Sequence, residues 1–574
     1  MEFINRVSRM PRSGIELLAT LIVLICILAP RLGALGSFVT ADEPAWGKRS
    51  GGFYYALVNR EFSATYQSGH PGVTTMWLGA LAYYLRFPNF ANLGKAELGD
   101  TKLFQIFQNQ RINLMQVLQT ARLLVVLVIT ACLMVSFFFA LRLFGLPLTV
   151  LAFLLIAFEP FHVAHSRFLH TNGMLATFMF MAVLAFLYFL RQRKWYALLI
   201  SAAGAGLSYI SITPGFLLVP VVGALALVDW LWPDEGRFSF NLRRLIQRSL
   251  IPLLIWGAAS LLVVYIVWPA MWSHPVATLM KIVQYTQSAA EGDIGGVHLV
   301  QAFQAGADGS SSYFYFYPLT YLWRTTPVVL AGLLLAAVFM LQAWRSRASE
   351  LRDIKQRALW ELALYVGVYT LIMSFGDKKF DRYFLPAYLP LDILAAFGWL
   401  ALAAWLYRRF TLTSLQSKLA LGALLLGVVA IQAAGTLQNY PYYLTYFNPL
   451  LGGARGAEKV MMVGWGEGLN EAAVYLKQVP DIRHKKILSW YSLAFDWYSL
   501  QLGVQSEVAD FSADTSLADY LDLDYLVIYV NQVQRDYPPE LIAYLEKQKP
   551  VYTVQLNGVD YVYVYHINVA SPAQ

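Results

Sequence analysis

The sequence predicts an α-helical polytopic membrane protein with about eleven transmembrane helices and a C-terminal α/β domain outside the membrane. Three observations predict it. Charged residues make up 14% of the 574 and hydrophobic ones 58%, where soluble domains carry about 25% charged residues. Apolar stretches of about twenty residues recur along most of the chain. Residues 440–574 break that rhythm with short alternating segments and turn residues. The composition excludes an ordinary soluble enzyme, a disordered scaffold and a disulfide-stapled secreted module. Both cysteines, Cys26 and Cys132, fall inside apolar stretches, so neither a disulfide framework nor thiol chemistry is indicated.

The first apolar run, Gly14 to Leu35, follows Arg6, Arg9 and Arg12. It exceeds a signal-peptide core of about 7 to 15 residues and is read as an uncleaved first span. Further spans fit at 119–143, 146–160, 171–190, 195–212, 213–232, 249–270, 318–344, 357–376, 383–406 and 417–438. With the N-terminus cytoplasmic, the inner loops hold Arg142; Arg191, Arg193 and Lys194; Arg237, Arg243, Arg244 and Arg248; Arg345 to Arg357; and Arg408, Arg409 and Lys418. The net charge of +8 therefore follows membrane topology, the positive-inside pattern, and not nucleic acid.

The expected module is residues 1–439, with outer loops at 36–118 and 271–317, and residues 440–574 as the extracytoplasmic domain. In the first loop, aromatic clusters alternate with isolated charges, as interfacial helices require. In the last segment Lys459 to Val463, Ile487 to Tyr491 and Tyr525 to Val530 read as strands. Asn470 to Gln478 and Pro539 to Lys547 read as helices, and Val551 to Ile567 as a hairpin turning on Asn557-Gly558.

The sharpest chemical feature is Asp42-Glu43-Pro44, just past the first span. A carboxylate where lipid, protein and water meet can have its basicity raised by partial desolvation, as a general base needs; alone it reads equally as a solvated acidic turn. Beyond the third span run His162, His165, Ser166, Arg167, His170 and Asn172, and Arg167 breaks the positive-inside pattern as if an anion held it. Lys378, Lys379 and Arg382 break it again, and clustered cations suit a phosphate. Arg324 could join them, and His70-Pro71-Gly72 is either a turn or a substrate contact. Asp42, Glu43 and His165 are the residues that could hold a divalent cation, although no ligand spacing calls for one. Gly464 to Gly468 imitates a nucleotide loop but reads as a structural turn, and no ATP-binding loop is present.

One outer carboxylate, outer cations and aromatic spans suited to an isoprenoid tail describe sugar transfer from a lipid-linked donor. A phosphate leaving group needs positive charge more than a proton donor, and a single displacement inverts the anomeric carbon. The chain also resembles the polyprenyl-phosphate-dependent glycosyltransferases of the GT-C fold, which include protein O-mannosyltransferases and the aminoarabinose transferase of lipid A. The resemblance is carried by Asp42-Glu43, His165 to Asn172, Tyr317-Pro318, Lys378 to Tyr383, Tyr440 to Pro449 and Gly464 to Gly468. It implies that Asp42 takes the acceptor proton, that Glu43 shapes the site, and that Arg167, Lys378, Lys379 and Arg382 hold the carrier phosphate. Many relatives have Asp where Asn172 stands and Lys within the segment Ser211 to Pro214. Competing readings are a transporter or flippase of a lipid-linked anion, and a scaffold whose C-terminal domain binds glycan. The sugar, the acceptor (glycan, lipid or protein) and any metal are open at this point.

Overall fold

The computed structural model describes residues 12–93, 103–232, 240–290, 314–345, 354–376, 379–410, 414–502, 511 and 516–567. Among them, nine helices are long and apolar enough to cross a membrane. The expected spans 146–160 and 195–212 are shorter apolar helices, Leu146–Ala157 and Trp195–Ser211. The protein is a multi-pass membrane protein, and its surface agrees: Leu254, Leu334, Leu419 and Leu426 stand exposed on their helices, a placement that suits lipid and penalises water contact.

The hub is Thr171–Gln192, with 94% of its apolar window buried. It packs on Leu114–Phe144, Trp195–Ser211 and Leu385–Arg409. Its N-terminus is capped by His170, whose side chain accepts from the Asn172 backbone, and its other end carries Arg191. That arginine pairs with Glu361, while Arg193 and Arg357 pair with Asp229. At about 1.5 Å per residue the helix separates the His170 end from this ionic cluster by about 33 Å, a hydrocarbon thickness.

One expected span is divided. The run 318–344 becomes Phe316–Arg324 and Pro327–Arg345, because Pro327 starts a new helix and disfavours helical geometry in the residue before it. The break brings Arg324 to Asp381 and the Leu444 carbonyl instead of leaving it in a continuous helix. The segment after the first span folds as Glu43–Val58, Val73–Arg86 and Leu103–Asn109 with short turns between. Val73–Arg86 is two-faced: Val73, Met76, Ala80 and Tyr83 are buried while Trp77, Leu81, Tyr84 and Leu85 are exposed, the spacing of an amphipathic helix.

After Tyr440 the chain forms a four-stranded sheet. Its strands are β1 (Ile487–Ser489), β2 (Tyr525–Tyr529), β3 (Tyr552–Leu556) and β4 (Val559–His566), in the order β1-β2-β4-β3. β1 runs parallel to β2, and β4 is antiparallel to both β2 and β3. The β3–β4 turn is Asn557-Gly558, with φ of 50° and 79°, the positive values that a two-residue hairpin turn demands. The strand expected at Lys459 to Val463 is not one. Val460 and Met461 instead donate back to Ala457 in helical turns, and Val463 N bonds the Gln534 side chain at 3.0 Å.

Candidate active site around Asp42

Asp42 precedes the helix Glu43–Val58, whose first turn holds Pro44. An aspartate there ordinarily caps its own helix; this one makes no side-chain cap bond. Its carboxylate turns outward, 39% exposed, and Oδ2 accepts from His170 Nε2 at 3.3 Å and Arg382 Nη2 at 3.4 Å. The Asn172 backbone N–H donates to His170 Nδ1 at 3.4 Å, so the imidazole proton sits on Nε2, facing Asp42. Burial alone would raise the Asp42 carboxyl, but the His170 hydrogen bond and the Arg382 and Arg49 charges outweigh it and hold it below the ordinary carboxylate range. The expectation of a raised basicity is thereby corrected: nearby positive charge exceeds desolvation.

Glu43 points the other way, fully buried. Oε1 accepts from Arg122 Nε at 2.7 Å and Leu169 N at 2.9 Å, and Oε2 from Thr40 N at 3.0 Å, Thr40 Oγ1 at 2.9 Å and Arg122 Nη2. Arg122 also donates to Leu35 O at 2.6 Å and Phe38 O at 2.8 Å. Glu43 is therefore a staple for the turn that presents Asp42, with no lone pair left for a cation. Among the described residues no three His, Cys, Asp or Glu side chains gather into a metal site, and the Asp42, Glu43 and His165 set does not fit one.

Two cavities meet at Asp42, Phe380 and Arg382. The larger, about 500 Å³, is also lined by His165, Arg324, Asp381, Trp465, Glu467, Tyr491, Asn531 and Arg535. The smaller, about 200 Å³, takes in Trp46, Arg49, His70, His170, Ile212, Tyr285 and Tyr383. Arg382 stacks on Phe380 at 4.1 Å and on Trp465 at 5.0 Å. Arg324 reaches the larger cavity but is engaged with Asp381 (3.0 Å) and Leu444 O (2.6 Å). His70 stacks edge-on against Tyr285 at 4.8 Å.

Other expected contacts fall elsewhere. Arg167 donates to Gly33 O and lies over the Tyr443 ring at 5.1 Å, and it lines neither cavity. Its neighbour Ser166 is held by Arg31 Nε at 2.7 Å. Asn172 is fully buried and serves through its backbone. Lys379 is buried beside Phe380, and Lys378 lies outside the described residues.

The sequence reading missed Arg49, Arg122, Tyr491, Asn531 and the role of Trp465. Arg122 had a signal, a lone arginine inside an apolar span. Gly464 to Gly468 belongs to the site: Ala41 N donates to Trp465 O at 3.0 Å, and the Trp465 indole lies 5.0 Å from the His170 ring and 5.5 Å from that of His165.

Residues 103–279 match the family model of dolichyl-phosphate-mannose-protein mannosyltransferases. That stretch contains Arg122, His165 and His170, which hold or line the Asp42 site. The matched family is one of those that the sequence resembles. Among solved structures it is similar to ArnT from Cupriavidus metallidurans bound to undecaprenyl phosphate, at 16% identity over 98% of this chain and 99% of that one, with a TM-score of 0.46. It is also similar to the Archaeoglobus fulgidus oligosaccharyltransferase, at 13% identity over 96% and 74%, with a TM-score of 0.45. The Pmt1-Pmt2 protein O-mannosyltransferase of S. cerevisiae matches at 18% identity over 54% and 39%, with a TM-score of 0.33. No curated protein sequence matches the chain.

Proposed function

We propose that this GT-C protein is an inverting transferase that moves a sugar from a polyprenyl-phosphate donor to an acceptor hydroxyl at the outer face of the cytoplasmic membrane. The observation that carries it is the position of Asp42, an ionised carboxylate unspent on capping and shared by two cavities. The smaller cavity, bordered by Arg49 and Arg382, offers the positive charge that a departing phosphate needs. The larger one gives the sugar and the acceptor hydroxyl room on the other side of the carboxylate.

The acceptor oxygen attacks the anomeric carbon and gives its proton to Asp42. The bond from that carbon to the phosphate oxygen breaks, and its electron pair leaves with the phosphate. As the phosphate gathers Arg382 and Arg49 to itself, Asp42 loses their charge and becomes a stronger base at the moment it is used. Glu43, the carboxylate beside Asp42, is fully engaged with Arg122 and does not act as a second catalytic carboxylate.

The product anomer tests this reading. With a polyprenyl-phosphate sugar of defined configuration, ¹H NMR of the first product formed is expected to show the opposite anomer. Retention would contradict the single displacement.

A further inference from the structure

We infer that the larger cavity is a saccharide-binding site in which the C-terminal domain supplies the wall and the hydroxyl partners: Trp465, Glu467, Asn531 and Arg535. The inference deepens the transferase reading and rests on it. At about 500 Å³, the cavity falls within the ~300–1,000 Å³ of ligand sites.

Its polar inventory separates sugar from phosphate. Asn531 is 4% exposed, and its amide nitrogen donates to Gly464 O and to the Tyr491 hydroxyl. Its oxygen is thus oriented as an acceptor, and no group among the described residues satisfies it. Glu467 is fully buried; Oε2 accepts from Trp465 N at 2.6 Å and Tyr529 OH at 3.1 Å, while Oε1 has no partner among the described residues. Among the described residues His165 Nδ1 and Arg382 Nε are also unsatisfied. Buried groups left this way are costly unless something completes them. A phosphate donates nothing to Asn531. One serine or threonine hydroxyl donates once, whereas a sugar ring brings several hydroxyls, each both donor and acceptor.

The apolar wall agrees. A sugar ring has a face of C–H groups and a hydroxyl rim, which matches an aromatic side chain flanked by polar atoms. Trp465 is half-buried, beside His165, His170 and Arg382. Its carbonyl is bonded to Ala41 N, the residue before Asp42, so a ring against this indole lies next to the base. The ring could be the donor's sugar or a sugar on the acceptor, since both present the same chemistry.

The test is titration of the full-length protein in detergent, by saturation-transfer NMR, with methyl glycosides of common hexoses and pentoses and with a blocked Ala-Thr-Ala peptide. Undecaprenyl phosphate binding is measured separately. At least one glycoside is expected to bind, and Asn531→Ala and Arg535→Ala are each expected to weaken it about tenfold or more while undecaprenyl phosphate binds unchanged. Glycoside binding that survives saturation with a polyprenyl-phosphate sugar assigns the site to the acceptor; competition assigns it to the donor. The inference is overturned if no glycoside binds while undecaprenyl phosphate does, if only the peptide binds, or if both variants bind glycoside like wild type. Failure of undecaprenyl phosphate to bind would count against the transferase reading itself.

Discussion

Asp42 stays ionised because His170, Arg382 and Arg49 outweigh the burial that would raise it. In the free enzyme kcat/KM falls as pH drops through this carboxyl's own value, which lies below the ordinary carboxylate range. Arg382→Gln removes a cation and His170→Ala a hydrogen bond, so both are expected to move the acid limb of the kcat/KM profile to higher pH. An unmoved limb in both would show that another group sets it. Asp42 was legible in the sequence because an acidic pair just beyond a span has few neighbours to hide among. Its electrostatic state was not, since Arg382 is 340 residues away along the chain. The partners of Arg167, the Gly33 carbonyl and the Tyr443 ring, are likewise far from it along the chain.

At the scale of elements, the turn that presents Asp42 is held from two sides. On one, Arg122 reaches out of a span to Glu43 and to two carbonyls of the incoming chain. Burial opposes the Glu43 charge but Arg122 outweighs it, so the folded carboxyl lies below its ordinary value. Its stabilisation is present above the ordinary carboxylate value and lost as pH falls through the lower folded one. Arg122→Met leaves Glu43 buried without its cation and is expected to cost about 3–5 kcal/mol, measured as loss of unfolding stability in detergent. A change below about 1 kcal/mol would mean that the pair is dispensable.

On the other side stands the Gly464 to Gly468 loop. Gly466 has φ of 118°, and a Cβ there would come 2.4 Å from Val39 O. Gly466→Val is expected to lower transfer at least about tenfold while the helical circular dichroism signal persists; wild-type turnover would detach the loop from catalysis. The glycines were visible in the sequence, but three glycines in five residues read as a turn whichever surface the turn meets. Only the fold shows that surface to be the segment before Asp42.

Over the whole molecule, charge is segregated. One end of the central helix carries the Asp42 site and the other the Arg191, Asp229 and Glu361 cluster. Most span positions were legible because apolar length is a local property; the break before Pro327 and the short helix Leu146–Ala157 depend on neighbours. The proposed orientation puts the C-terminal sheet outside. In intact cells a membrane-impermeant thiol reagent should therefore label Val533→Cys and spare Lys418→Cys, the reverse pattern inverting the topology.

The central claim is that Asp42 is the base of a polyprenyl-phosphate sugar transfer. The most direct measurement is release of free polyprenyl phosphate from labelled polyprenyl-phosphate sugars, with purified protein and membrane extract as acceptor, for wild type and Asp42→Asn. One donor should turn over in wild type, and the variant should lose at least about a hundredfold while remaining folded and still binding the donor. Equal turnover by the two proteins would contradict the role of Asp42, and no turnover of any donor by folded wild type would contradict the reaction.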